Sequence, residues 1–308
     1  MAMQQITDHI LMVRPANFGY NEQTAANNAF QKKDDSLPDD LIQELATAEF
    51  DELVAQLRKV GVEVLVVLDS EEPIKPDAIF PNNWVTFHQN GLIVTYPMNA
   101  PVRRLERREE IIRHMNTVYK FDKRLNLEDY EAQHQFLEGT GSLILDRPNQ
   151  LAYACISPRT DEELLHLYCQ KIGYQAVPFT AVDAQGQAIY HTNVMMALGE
   201  TFVVICLDTI KNPNERALLL EKFEATQKEV IEISLQQMMS FAGNMLQVRG
   251  KDGQSWLVMS EQAHSSLSKA QIETIEKHTK ILYSYIGHIE KYGGGSVRCM
   301  MAEVFVPD

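Results

Sequence analysis

The chain has 308 residues, of which 45% are hydrophobic and 23% charged, and a formal net charge of −14. That apolar content can fill one large core or two ordinary ones. The acidic balance argues against a duplex nucleic-acid surface, which needs clustered Lys and Arg, and no run of about eighteen apolar residues exists to span a membrane.

The N-terminal stretch lacks a basic segment followed by a long apolar one, so no secretory leader is expected. Cys155, Cys169, Cys206 and Cys299 form no C-x-x-C pair, and the histidines form no H-x-x-x-H arrangement. Neither a metal site nor a disulfide framework is expected. Reduced thiols in a cytoplasmic setting fit this usage.

In chain order, "HILMVRPANF" reads as a strand. It is followed by the polar segment "FGYNEQTAANNAFQKKDDSLPDD", a candidate loop over a pocket. "DDLIQELATAEFDELVAQLRKVG" has the three-to-four spacing of an amphipathic helix and leads into the strand "VEVLVVLD". Four hairpin signals follow: Asn82–Pro97 turning at Asn-Gly, Gly139–Arg159 at Pro-Asn, His191–Asp208 at Gly-Glu, and Ala242–Ser260 around Gly-Lys-Asp-Gly. Helical patterns follow each: "VRRLERREEIIRHMNTVY", "RTDEELLHLYCQKIG", "NERALLLEKFEATQKEVIEI" and "SKAQIETIEKHTKILYSYIG". The closing "GGSVRCMMAEVF" starts a fifth strand pair whose partner is the N-terminal "HILMVRPANF". Repeated hairpins argue against a purely parallel sheet, because parallel strands need crossovers. The expected fold is a five-bladed α/β propeller of ββαβ-like units with pseudo-fivefold symmetry. No low-complexity linker interrupts it, so residues 1–308 are expected to form a single domain.

The hairpin starts carry unusual residues: Asn82-Asn83, Glu138-Gly139-Thr140-Gly141, His191-Thr192-Asn193, Gly243-Asn244, and Gly293 to Cys299. They supply a carboxylate, an imidazole, a thiol and several amides, the parts of a thiol nucleophile with its acid–base partner. Taken singly, a lone cysteine is usually buried core and a lone histidine usually a satisfied one. Three chemical roles at equivalent points of three units favour a site. Cys155, Cys169 and Cys206 lie inside apolar patterns and read as core.

With these residues the chain resembles the amidinotransferase and guanidino-modifying superfamily. That superfamily includes arginine deiminase, dimethylarginine dimethylaminohydrolase and glycine amidinotransferase. "LEGTGS" is similar to its acidic-Gly-Gly-Asp segment, "HTN" to its histidine segment and "GGSVRC" to its nucleophile segment. The resemblance implies Glu138 as orienting acid, His191 as acid–base and Cys299 as covalent nucleophile. It also implies a small-molecule guanidino or ureido amino acid as ligand. Arg103 and Arg159 match positions that hold a substrate carboxylate in the dimethylaminohydrolases. Phe80 and Asn83 fall on the family's Phe-x-x-Asp pattern, here "FPNN", with Asp77 a nearby remaining carboxylate.

Two departures bear on the substrate. Asn83 stands where the family has Asp, and Asn193 stands where arginine deiminases carry an acid. Gly141 loses a further acid. A carboxylate only accepts hydrogen bonds and suits a guanidinium, whereas an amide both donates and accepts and suits a neutral ureido group. The expected reaction is therefore cysteine-dependent hydrolysis of citrulline to ornithine, ammonia and carbon dioxide. The start "VRPANFGYNEQTAANNAF" resembles superfamily members assigned to citrulline utilisation. The alternatives are an arginine or methylarginine deiminase-type hydrolase, an amidinotransferase, and a non-catalytic binding protein on the same fold. No cofactor, nucleic acid or membrane partner is expected. A homodimer is the working expectation, without a sequence signal for it.

Overall fold

The computed structural model describes residues 3–34 and 36–307. Strand β1 (His9–Arg14) pairs in parallel with β2 (Glu63–Leu68), in register from His9 opposite Glu63 to Arg14 opposite Leu68. Helix Asp39–Lys59 makes the crossover between them. Its apolar residues Ile42, Ala46, Phe50, Leu53, Val54 and Leu57 recur at helical spacing, and all are buried.

Each later unit repeats this plan with an antiparallel hairpin placed first. Strands β3 (Val85–Phe87), β4 (Leu92–Thr95) and β5 (Lys123–Asn126) form one sheet. Then come β6 (Ile144–Asp146), β7 (Leu151–Cys155) and β8 (Gln175–Phe179). The next is β9 (Met196–Leu198), β10 (Phe202–Ile205) and β11 (Glu229–Glu232). The fourth is β12 (Leu246–Arg249), β13 (Ser255–Ser260) and β14 (Lys280–Ser284). Finally β15 (Ala302–Glu303) returns antiparallel to β1, with Leu11 opposite Ala302. In every sheet the third strand runs parallel to its neighbour after a helical crossover. The molecule is thus five three-stranded ββαβ units, the fivefold arrangement expected from the hairpin pattern.

Buried side chains fill the spaces between adjacent units. Val94, Leu145, Ala152 and Tyr168 pack in one cluster, and Tyr153, Val203, Phe223 and Met259 in another. Cys155, Cys169 and Cys206 lie within these clusters. Burial pushes their thiols up to about 12, 12 and 11. They are therefore apolar filling rather than reactive groups.

Two local departures from expectation matter. The pattern "VRRLERREEIIRHMNTVY" divides into a 3-10 helix, Pro101–Glu106, and a helix, Glu109–Tyr119. Cys299 does not begin a strand. It sits in a helical turn, Val297–Met300, and the strand starts only at Ala302. The backbone N–H of Cys299 is bonded to the Ser296 carbonyl, which holds this turn in place of a ladder bond.

Candidate active site

Each hairpin is entered through one tight turn that ends where the ladder begins. The turns are Pro81–Asn83, Gly139–Ser142, Thr192–Val194 and Val297–Met300. In the remaining unit the Asn244 N–H closes a turn onto the Phe241 carbonyl at 2.8 Å. Adjacent turns pack on one another, which gathers their side chains at one end of the molecule.

There a small, nearly closed pocket of about 20 Å³ is lined by Asp77, Phe80, Asn83, Arg103, Arg159 and His191, with Cys299 and the Gly293–Gly295 loop completing it. Cys299 is 4% exposed. Its sulfur receives the side-chain N–H groups of Asn244 at 3.3 Å and Asn193 at 3.4 Å. Arg298 points away from the pocket, to Glu303 at 2.7 Å and to the Met301 carbonyl.

His191 Nε2 lies 2.8 Å from Glu138 Oε2, both fully buried. Burial pushes the Glu138 carboxyl up, but Arg159, the His191 hydrogen bond and Arg103 outweigh it and hold it down to about 2. Burial drives the His191 ring down to about 4 against the raising effect of Glu138. A carboxylate can only accept, so Nε2 carries the proton and Nδ1 is left with its lone pair. Nδ1 faces Gly141.

That glycine is required by close approach. A Cβ at position 141 would lie 2.4 Å from Asn83 Nδ2 and 2.7 Å from His191 Nδ1. Neither neighbour is free to give way, because Asn83 Oδ1 is bonded to Arg103 and the His191 ring to Glu138. Gly141→Ala is expected to cost about 1–3 kcal/mol as an overpacked site, read as a lower melting temperature. An unchanged melting temperature would show that the pocket yields at this point.

The two arginines are differently engaged. Arg103 makes a two-point contact with Glu106 at 2.8 and 2.9 Å, and also donates to Asn83 Oδ1 at 2.7 Å and to the Phe80 carbonyl. It is a buried strut of the pocket wall. Arg159 lies over the Tyr190 ring, bonds Asn27 and the Thr24 carbonyl, and stands 3.6 Å from Glu138. Asp77 Oδ2 accepts from Asn21 at 2.7 Å and Thr24 at 3.2 Å, with Arg103 at 3.8 Å. Phe80 presents its ring to Gly293 and Gly295.

The polar segment near the N-terminus is drawn over this end of the molecule. Asn28 donates to the Gly294 carbonyl, Gln31 to the Tyr292 carbonyl, and the Lys32 N–H to the Lys291 carbonyl. Gly294 has a φ of +64°, and a Cβ there would lie 2.8 Å from the Gln31 backbone. Sequence reasoning singled out the segment but not its contributing side chains, Asn21, Thr24, Asn27 and Asn28. It also missed Tyr190 and Glu106. The density of Asn in "NEQTAANN", the position of Tyr190 beside His191, and the i,i+3 spacing of Glu106 from Arg103 were the available signals.

Among the described residues, no group of three or more His, Cys, Asp or Glu could hold a metal ion, and no helix is long and apolar enough to cross a membrane.

Comparison with solved structures finds the same fold in enzymes of distant sequence. ArgZ, an arginine dihydrolase from the ornithine-ammonia cycle in Cyanobacteria, superposes with a TM-score of 0.75 at 16% identity. The match covers 97% of this chain but 41% of that ArgZ chain. Against the N-terminal domain of ArgZ alone it covers 98% of that domain. Unliganded AgrE matches with a TM-score of 0.74 at 16% identity, over 97% of this chain and 39% of its own. A dimethylarginine dimethylaminohydrolase, as its adduct with S-methyl-L-thiocitrulline, matches at 0.64 and 14% identity, over 97% of this chain and 99% of its own. Among curated proteins no sequence match was found. The family model described as N,N dimethylarginine dimethylhydrolase, eukaryotic, matches residues 14–306. The chain belongs to this dimethylarginine dimethylhydrolase family, within the amidinotransferase-type arginine and dimethylarginine hydrolase superfamily.

Proposed function

We propose that the protein hydrolyses the ureido group of citrulline, giving ornithine, ammonia and carbon dioxide through a covalent intermediate on Cys299. One observation carries the choice of substrate. Three buried polar atoms around the thiol lack partners among the described residues: Asp77 Oδ1, Asn83 Nδ2 and Asn193 Oδ1. They are two acceptors and one donor. A guanidinium offers only N–H groups and would leave the donor facing a donor. A ureido group offers an oxygen for Asn83 Nδ2 and N–H groups for the two acceptors. Asn83 cannot simply turn over, because its Oδ1 is held by the Arg103 guanidinium at 2.7 Å. A reversed amide would set its N–H groups against that cation.

In this reading the Cys299 thiolate attacks the ureido carbon while Asn83 supports the developing oxyanion. His191 Nδ1 takes the proton of the Cys299 thiol as the sulfur attacks and passes it to the departing terminal nitrogen, which leaves as ammonia. The product is a thiocarbamate linking Cys299 to the ornithine δ-nitrogen. His191 then takes a proton from water, whose oxygen attacks the same carbon and displaces the thiolate. The released carbamate loses carbon dioxide to give ornithine. Glu138 holds His191 in the tautomer with a free Nδ1 and stabilises its cation.

The test offers citrulline, arginine, methylated arginines and agmatine to the purified protein, with ammonia and amino-acid products measured. Ornithine from citrulline supports the reading, and far faster turnover of arginine would overturn it. Asn83→Asp removes the oxyanion donor and adds an acceptor. It is expected to lower kcat/KM for citrulline by about 10²-fold while raising the arginine-to-citrulline ratio. A ratio left unchanged would remove Asn83 from substrate selection.

The second reading is a dihydrolase that converts arginine through citrulline to ornithine. The free Asp77 Oδ1, an acceptor for a cationic group, supports it, as does the likeness to ArgZ. Ornithine formed from both arginine and citrulline would identify this activity.

A further inference from the structure

A second cavity lies at the opposite ends of the hairpins from Cys299. It has a volume of 240 Å³ and lies between the β3–β4 turn, the β6–β7 turn, the lead into β8 and the C-terminal tail. Leu92, Ile172 and Phe305 supply apolar walls, and His88, Tyr174 and Arg147 its polar positions. A cavity of about 150 Å³ already holds benzene, so this one has room for a ring with a substituent.

Arg147 is the feature that needs explanation. It is 4% exposed, with its guanidinium stacked 3.9 Å from the Phe305 ring centroid. Its Nη1 lies 3.4 Å from His88 Nδ1, and its Nη2 is 3.8 Å from Glu303, beyond hydrogen-bond distance. That carboxylate is already bonded to Arg298 at 2.7 Å. Two buried guanidinium groups therefore share one carboxylate. Among the described residues no other acid lies within 4 Å of Arg147. His88 adds no negative charge and stays neutral, since burial pushes it down to about 3. A buried cation so weakly paired is costly unless a further anion completes its shell.

We propose that this cavity is a second ligand site, for a small organic monocarboxylate with a planar or branched apolar body. The carboxylate meets the Arg147 guanidinium in a two-point contact, and the apolar body lies along Leu92, Ile172 and Phe305. Occupancy leaves Glu303 wholly to Arg298, the residue preceding Cys299, so the site is joined to the thiol's turn through one ion pair. The proposal is independent of the substrate assigned to Cys299.

The test is calorimetric titration of the full chain with benzoate, with benzamide as the uncharged isostere. Ile172→Trp fills the cavity while leaving Arg147 in place, and Arg147→Met removes the charge. Saturable benzoate binding is expected, weakened about tenfold or more for benzamide and for each variant, a tenfold change being 1.4 kcal/mol. No saturable binding of benzoate, equal binding of benzamide, or binding retained by either folded variant would overturn the proposal.

Discussion

Cys299→Ser is expected to lower turnover of citrulline by about 10⁴-fold or more, since it removes the attacking group of a two-step reaction. A ureido carbon is a poor electrophile, and a hydroxyl at neutral pH is a far weaker nucleophile than a thiolate. The surroundings of the sulfur sharpen the expectation. Asn193 and Asn244 donate to it at 3.4 and 3.3 Å, so the sulfur is held at a fixed place in the pocket. The other thiols offer no rescue, because burial pushes them up to about 12, 12 and 11. In the proposed reading substrate binding rests on Asp77, Asn83 and Asn193, which the substitution leaves intact. Citrulline should therefore still bind to the variant, measured by calorimetry. The wild-type enzyme, quenched in acid during turnover, should carry the thiocarbamate by mass spectrometry, and the variant should not. Full activity in the variant would dismiss the covalent route and favour water as the direct attacker. Binding of citrulline with no turnover in either form would favour the binding-protein reading.

Much of this was legible in the chain because periodicity and turn chemistry are local. The Asn-Gly turn between β3 and β4 and the apolar run before it fix a hairpin without long-range help. Repetition of that hairpin then points to the fold. The gathering of Glu138, His191 and Cys299 was legible only through their equivalent positions in successive units. What could not be read was orientation. Arg103 and Arg159 are alike in sequence, yet one is consumed by Glu106 and the other lies over Tyr190 beside Glu138. Their partners are distant in the chain, or, for Glu106, close but placed by a 3-10 turn that the helix pattern did not indicate. The helical turn at Cys299 was hidden for a related reason. "VRCMMAEVF" is mostly apolar with no helical or alternating period, and such a short run does not distinguish a turn from a strand. The unpartnered atoms of Asp77, Asn83 and Asn193 lie furthest from sequence. An orphan is defined by everything around it, so only coordinates reveal one.

Glu138→Gln is expected to reduce turnover by about 10⁴-fold, the scale seen when a buried acid that orients a catalytic histidine becomes an amide. The geometry gives the reason. Glu138 Oε1 accepts the Asn99 N–H at 2.9 Å, while Oε2 accepts from His191. A glutamine that keeps the Asn99 bond must turn its NH₂ group toward His191 Nε2. The ring then moves its proton to Nδ1, which closes the lone pair that has to receive a proton from water. Arg159, 3.6 Å from the carboxylate, loses its countercharge as well. Acid stability offers an independent reading. The Glu138 carboxyl is depressed from its ordinary 4.5 to about 2, so its contribution is complete above 4.5 and lost as pH falls through 2. The His191 ring is depressed from 6.5 to about 4, so the unfolded chain binds its proton first and stability falls between those values too. The wild type should therefore lose stability progressively from about pH 6.5 downward. The glutamine variant should start less stable at neutral pH and lose less of its stability below pH 4.5, because the Glu138 contribution is absent from the outset. A variant with low activity and an unchanged acid profile would mean that Glu138 orients the ring without contributing charge. One with full activity would show that His191 needs no orienting acid, and the proton-transfer scheme would have to be rebuilt around another base.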